Sequence, residues 1–177
     1  MVDSFHERLV TGTATYALEF FQSVPPLDRI YVPIGLGSSI CGVSAARKAL
    51  ALKTEIIGVV SSASPSYALS FAERRVVEAP SQTLLADGLA CRVPAAQAME
   101  VIWDNVTRIV EVSDAEVAEA MRIYFQDTHN VAEGAGAAPL AAALKEKHQY
   151  SDGRIGLVLT GGNVDIELYN KVLAGAL

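Results

Sequence analysis

The chain has 177 residues, 51% of them apolar and 19% charged, a profile expected of one domain with a sizeable core. No apolar run approaches the roughly 20 residues that cross a bilayer and no basic or amphipathic leader opens the chain, so the expected address is cytoplasmic. With a net charge of -6 and five lysines and nine arginines spread along the sequence, no basic stripe for nucleic acid forms, and two cysteines and three scattered histidines exclude a disulfide framework and a zinc centre.

In chain order, residues 13–23 place Tyr16, Ala17, Phe20 and Phe21 on one helical face, and Pro25-Pro26 ends that helix. Arg29 to Ile34 reads as a buried strand running into Gly35-Leu36-Gly37-Ser38-Ser39, after which Ile40, Val43, Ala46 and Leu50 recur at helical spacing. Glu55 to Ser61 is a second strand, joined to the first by a helix of the right length for a parallel crossover. From Ser62 to Pro94 no period is sustained, apart from a short helix at Ser66 to Ala72. Val106 to Val112 is a third strand, and Ser113 with Glu116 forms the S-x-x-E pattern that caps a helix with the stripe Val117, Ala120, Met121, Tyr124, Phe125. Polar residues at Asp127 to Asn130 break that period. Glu133 and its glycines open an alanine-rich helix to about Lys147, whose small residues imply close packing. Arg154 to Thr160 is the last strand, followed by Gly161-Gly162-Asn163 and a helix at Ile166 to Leu173. Strands alternating with helices predict an α/β fold: an open, mostly parallel twisted sheet flanked by helices, in a single domain over residues 1–177.

Four segments are candidates for chemistry. The Gly35–Ser39 turn, between a strand and a helix, lets backbone amides converge beside the positive end of the helix dipole, so it can hold a phosphate; the hydroxyls of Ser38 and Ser39 add donors. It departs from G-x-G-x-x-G because Ile40 stands where the last glycine falls, and an ordinary tight βα turn is an equally simple reading. Thr160-Gly161-Gly162-Asn163 lies where ligands gather in open α/β sheets, and a hydroxyl before two glycines allows a flat ring to approach the backbone. Alone, it also reads as a strand-ending turn. Ala86-Asp87-Gly88 reads alone as a surface turn, and Glu133 as a carboxylate at a helix N-terminus.

Taken together, Pro33 to Gly42, Thr83 to Ala90, Glu133 to Ala137 and Leu159 to Asp165 resemble, in order and spacing, the fold-type II pyridoxal-phosphate enzymes, and within them the serine/threonine dehydratase (threonine ammonia-lyase) group that includes serine racemase. Asp3 to Leu18 is similar to the family segment just before the large-domain helix, so the resemblance covers nearly the whole chain. It implies the large domain of the tryptophan synthase β-like fold and pyridoxal 5'-phosphate as cofactor. Gly35, Leu36, Gly37 and Ser38, with Ser39 after them, match the loop whose amides grip the cofactor phosphate. Thr160 matches the residue hydrogen-bonded to the pyridine nitrogen, and Gly88 and Glu133 match positions lining the ring. A neutral hydroxyl at Thr160 leaves that nitrogen largely unprotonated, which suits β-elimination better than transamination.

The departures are equally specific. Leu36 and Ser38 replace two glycines, so the loop serves only if both avoid positive φ. Val60 and Ser66 stand where racemase-like members carry acidic cation ligands, so no metal is expected. The family's Schiff-base lysine sits in a Ser-x-Lys-x-Arg-Gly motif, and none of Lys48, Lys53, Lys145, Lys147 or Lys171 has that context; nor does any segment resemble the Ser-x-Gly-Asn-His substrate loop. The resemblance therefore implies the C-terminal portion of a dehydratase that acts on a small hydroxy amino acid, without the N-terminal half, inactive alone, and expected to self-associate through surface that half would cover. No appended regulatory domain is expected after Leu177. Two other readings stand beside it: a non-catalytic cofactor-binding or dimer-forming remnant of the family, and an unrelated α/β protein binding a nucleotide phosphate through the same loop.

Overall fold

The computed structural model describes residues 5–149 and 152–177; Asp3 and Ser4 of the opening segment lie outside them. Helix α1 (Glu7–Ser23) starts a turn and a half before the expected Thr13, because His6 caps it by accepting the Arg8 amide at 3.1 Å. Then follow β1 (Arg29–Pro33), α2 (Ser38–Ala49), β2 (Glu55–Ser61), α3 (Ser66–Glu73), a 3₁₀ turn at Asp87–Leu89, α4 (Ala96–Asn105), β3 (Arg108–Val112) and α5 (Asp114–Ile123). A π turn (Tyr124–Thr128), α6 (Gly134–Lys145), β4 (Ile155–Leu157) and α7 (Ile166–Leu173) complete the order. Helix α4 is an element the sequence reading did not assign.

The strands form one sheet in the order β3-β2-β1-β4, all pairs parallel. Period-two alternation divides their side chains between two cores. On one face Ile30, Val32, Ile34, Ile56 and Val60 pack with α1, α2 and α4. On the other, Tyr31, Ile57, Val59, Val110 and Val112 pack with α5, α6 and α7. The small residues of α6 let it lie close: Ala137, Ala138 and Ala142 have no exposed surface.

Strand β4 is shorter than the expected Arg154 to Thr160, and the reason lies in its neighbour. Leu157 pairs with Tyr31, and the Val158 amide donates to the Tyr31 carbonyl at 3.1 Å. The next rung of a parallel ladder requires an amide hydrogen at residue 33, which is Pro33 and has none. The ladder stops, and Thr160 stands three residues beyond the strand. No described helix is long and apolar enough to cross a membrane.

Candidate functional site

Because β1 and β4 are adjacent and parallel, the segments that follow them emerge at the same edge of the sheet. They then diverge: β1 leads to α2 in one core, whereas β4 leads towards α7 in the other. This is a topological switch point, the place where open α/β sheets form a crevice for ligands. The four segments singled out from the sequence converge here. A Cβ on Gly35 would collide with the Gly88 carbonyl oxygen, a Cβ on Gly88 would come 2.8 Å from the Ala135 Cβ, and a Cβ on Gly136 would come 2.8 Å from the Gly161 carbonyl oxygen. Backbone contacts thus run from the first turn through residue 88 and the start of α6 to the turn at Thr160.

In the first turn Gly37 has φ of +94° and caps α2 with no side-chain hydrogen bond. Among the described residues the non-glycine positive φ angles belong to Ala51, Arg74 and His129, so Leu36 and Ser38 meet the condition their substitution for glycine imposed. The first turn of α2 leaves the amides of Ser38 and Ser39 without intrahelical acceptors, and those of Leu36 and Gly37 donate to no described carbonyl. Hence the loop presents donors beside the helix dipole. Leu36 is exposed and Ser38 half-buried. The Ser39 hydroxyl is turned aside, 2.6 Å from the Tyr16 hydroxyl on α1, so Ser39 can offer its amide while its side chain ties two helices. Thr13 adds a second tie by donating to the Ser38 carbonyl at 2.9 Å.

At the second turn Thr160 is exposed. Glu133 holds this turn from two sides: its amide donates to the Gly161 carbonyl at 3.0 Å, and its carboxylate accepts the Asn163 amide at 3.1 Å. The carboxylate also stands at the N-terminus of α6, where the helix dipole favours it. The Ala86–Gly88 turn lies over the same helix start. A cavity of about 450 Å³ opens beside this cluster, lined by Asp87, Gly88, Glu133, Asn163 and Asp165 among others. A larger hollow of about 680 Å³ between α1, α2 and α4 contains none of the eight candidate residues.

Sequence reasoning missed Tyr67. This residue on α3, 1% exposed, donates to the Leu36 carbonyl at 2.8 Å and accepts the Ala95 amide at 3.2 Å. Its signal in the sequence is no more than an aromatic residue in a short helix. Val60 is packed in the core, and the Ser66 hydroxyl donates to the Cys91 carbonyl at 2.6 Å. The most buried charge pair among the described residues lies at the opposite, amino edge of the sheet. There Arg108 donates twice to the Glu146 carboxylate, at 3.1 and 2.7 Å, and Tyr31 donates to it at 2.7 Å. Burial pushes the Glu146 carboxyl up, but the bonds from Arg108 and Tyr31 outweigh it and hold the group below the usual carboxylate range.

The family model described as "Pyridoxal-phosphate dependent enzyme" matches residues 1–161. The chain is 36% identical to an L-threonine ammonia-lyase of Geobacter sulfurreducens, over 99% of its own length and 44% of the relative's. It is 34% identical to an L-threo-3-hydroxyaspartate ammonia-lyase of a Pseudomonas species, over 96% and 53%. Among solved structures, maize serine racemase superposes with a TM-score of 0.84 at 30% identity, covering 96% of this chain and 54% of that one. The chain therefore spans about half the length of the curated relatives it matches.

Proposed function

Because the chain belongs to the family of pyridoxal-phosphate dependent enzymes, we propose that its residues 1–177 form a single α/β domain that is the cofactor-binding, C-terminal portion of a threonine or serine dehydratase. The complete enzyme eliminates water from a hydroxy amino acid and gives a 2-oxo acid and ammonia. The observation that carries this reading is the convergence of Gly35, Gly88, the start of α6 and the Thr160–Asn163 turn at one switch point of the sheet. The residues fit the group. The free amides after β1 supply phosphate donors that a Cβ at Gly35 would disturb, and the exposed Thr160 hydroxyl and glycine backbone after β4 leave room for a flat ring.

In this reading Gly35, Leu36, Gly37, Ser38 and Ser39 grip the phosphate, Ser39 through its amide. Thr160 hydrogen-bonds the ring nitrogen, and Gly88 and Glu133 line the ring. When bound, pyridoxal phosphate supplies the electron sink for carbanion chemistry. The neutral Thr160 hydroxyl stabilises an unprotonated ring nitrogen, since no carboxylate is offered there to favour the pyridinium. Glu133 keeps the turn in place by its bond to the Asn163 amide.

No lysine among the 177 residues has the Schiff-base motif, so the proton transfer at the substrate belongs to a segment these residues do not supply. The chain by itself is expected to release no 2-oxobutyrate from L-threonine above a cofactor-only blank; release above that blank overturns the assignment of the lysine elsewhere. Binding tests the rest. Titration with pyridoxine 5'-phosphate, which has no aldehyde to react with surface lysines, is expected to show tighter binding than ATP, and a preference for ATP would replace this reading with a nucleotide site. With Cys41 and Cys91 both free thiols, the proposed compartment is the cytoplasm. The proposed partners are the other half of the fold and a second copy of the chain.

A further inference from the structure

Besides Thr13 on the Ser38 carbonyl, three contacts hold the donor-rich turn between β1 and α2 from outside its own segment. Gly35 abuts the Gly88 carbonyl, Ser39 meets Tyr16, and Tyr67 holds the carbonyl of Leu36. The third acts on the middle of the turn. A trans peptide unit points its carbonyl and its N–H in opposite directions. Whatever fixes the Leu36 carbonyl therefore fixes the Gly37 amide.

We propose that Tyr67 is a positioning residue for anion binding: by drawing the Leu36 carbonyl towards α3, it turns the Gly37 amide away from the protein body and into the set of donors that receives a phosphate. The inference rests on the reading of this turn as the phosphate grip and adds a residue to it. Two observations support the role. The phenol oxygen is itself anchored, since the Ala95 amide donates to it at 3.2 Å while its own hydrogen goes to Leu36 at 2.8 Å. The oxygen also lies 3.3 Å from where a Cβ on Gly37 would stand, so it touches the residue whose φ of +94° shapes the turn. Burial raises the phenol's pKa, so it remains a donor throughout the usual pH range.

Without the hydroxyl, the Leu36–Gly37 peptide plane is free to rotate, and its carbonyl can then face the anion. The loss falls on the phosphate and not on the ring. The test compares pyridoxine 5'-phosphate with pyridoxine by equilibrium dialysis against the chain and its Tyr67→Phe variant. The native chain is expected to prefer the phosphate ester, and Tyr67→Phe to lose about tenfold of that preference, the scale of one charge-assisted hydrogen bond, while pyridoxine binding stays within about twofold. A merely structural role would weaken both ligands together, so a ratio unchanged in a folded variant overturns the proposal. If Tyr67→Phe does not fold, Tyr67→Met serves. Methionine fills the space of the ring with an adaptable apolar chain and brings no hydroxyl. The same loss of the ratio is expected, and an unchanged ratio overturns the proposal. Absence of any phosphate preference in the native chain would instead sink the phosphate-grip reading on which it rests.

Discussion

At the scale of single residues, Gly37 and Glu146 show how differently the two edges of the sheet are made. Gly37→Ala would force a side chain into the left-handed region and bring its Cβ within 2.7 Å of the Ala98 Cβ. A loss of about 1–3 kcal/mol is expected, together with phosphate preference, measured by urea unfolding and by dialysis. At the amino edge, Glu146→Gln leaves Arg108 in a largely buried place with a weaker partner. The expected cost is about 3 kcal/mol at pH 7. The folded carboxyl titrates below its unfolded range, so its stabilisation is complete above the unfolded pKa of about 4.3 and fades as pH falls through the lower folded value. Urea midpoints of the two proteins are therefore expected to converge as the solution is taken from pH 7 into the acid range. Gly35, Gly88 and Thr160 were identifiable as candidates because each belongs to a short segment whose chemistry is local. Tyr67 was not, since its bond to Leu36 spans 31 positions and an aromatic residue in a short helix first suggests packing.

Among elements, α5 was the most readable. Ser113 and Glu116 form the reciprocal cap expected from their spacing: the Glu116 carboxylate accepts the Ser113 amide at 2.7 Å, and the Ser113 hydroxyl accepts the Glu116 amide at 3.3 Å. Ser113→Ala is expected to cost about 1 kcal/mol, with urea unfolding as the measure. Helix α4 escaped notice even though Ala98, Met99 and Ile102 recur at helical spacing, because nothing announces its start: Ala95 precedes it with no side-chain cap. The end of β4 was misjudged for the converse reason. Arg154 to Thr160 is a good apolar strand by itself, and what shortens it is a proline in another strand, which no local pattern reveals.

For the molecule as a whole, the two cores cover both faces of the sheet but leave large apolar side chains at the surface. Leu84 is 83% exposed, and with Leu168 and Leu177 it borders a small apolar hollow. Such a patch favours association. Sedimentation velocity is expected to show a coefficient that rises with concentration for the native chain and stays nearly constant for Leu84→Asp; equal behaviour of the two would exclude this patch as the contact. The parallel sheet follows from strand-helix alternation and the meeting of four distant segments from the glycine-rich ends of strands, whereas the strand order has no local signal in the sequence. One detail of that architecture has a wider effect. Since Pro33 offers no hydrogen to the Val158 carbonyl, the β1–β4 ladder cannot extend beyond that point. In the function proposed above, a flat guest at this edge has no rung to break, because the end of the ladder is written into covalent chemistry.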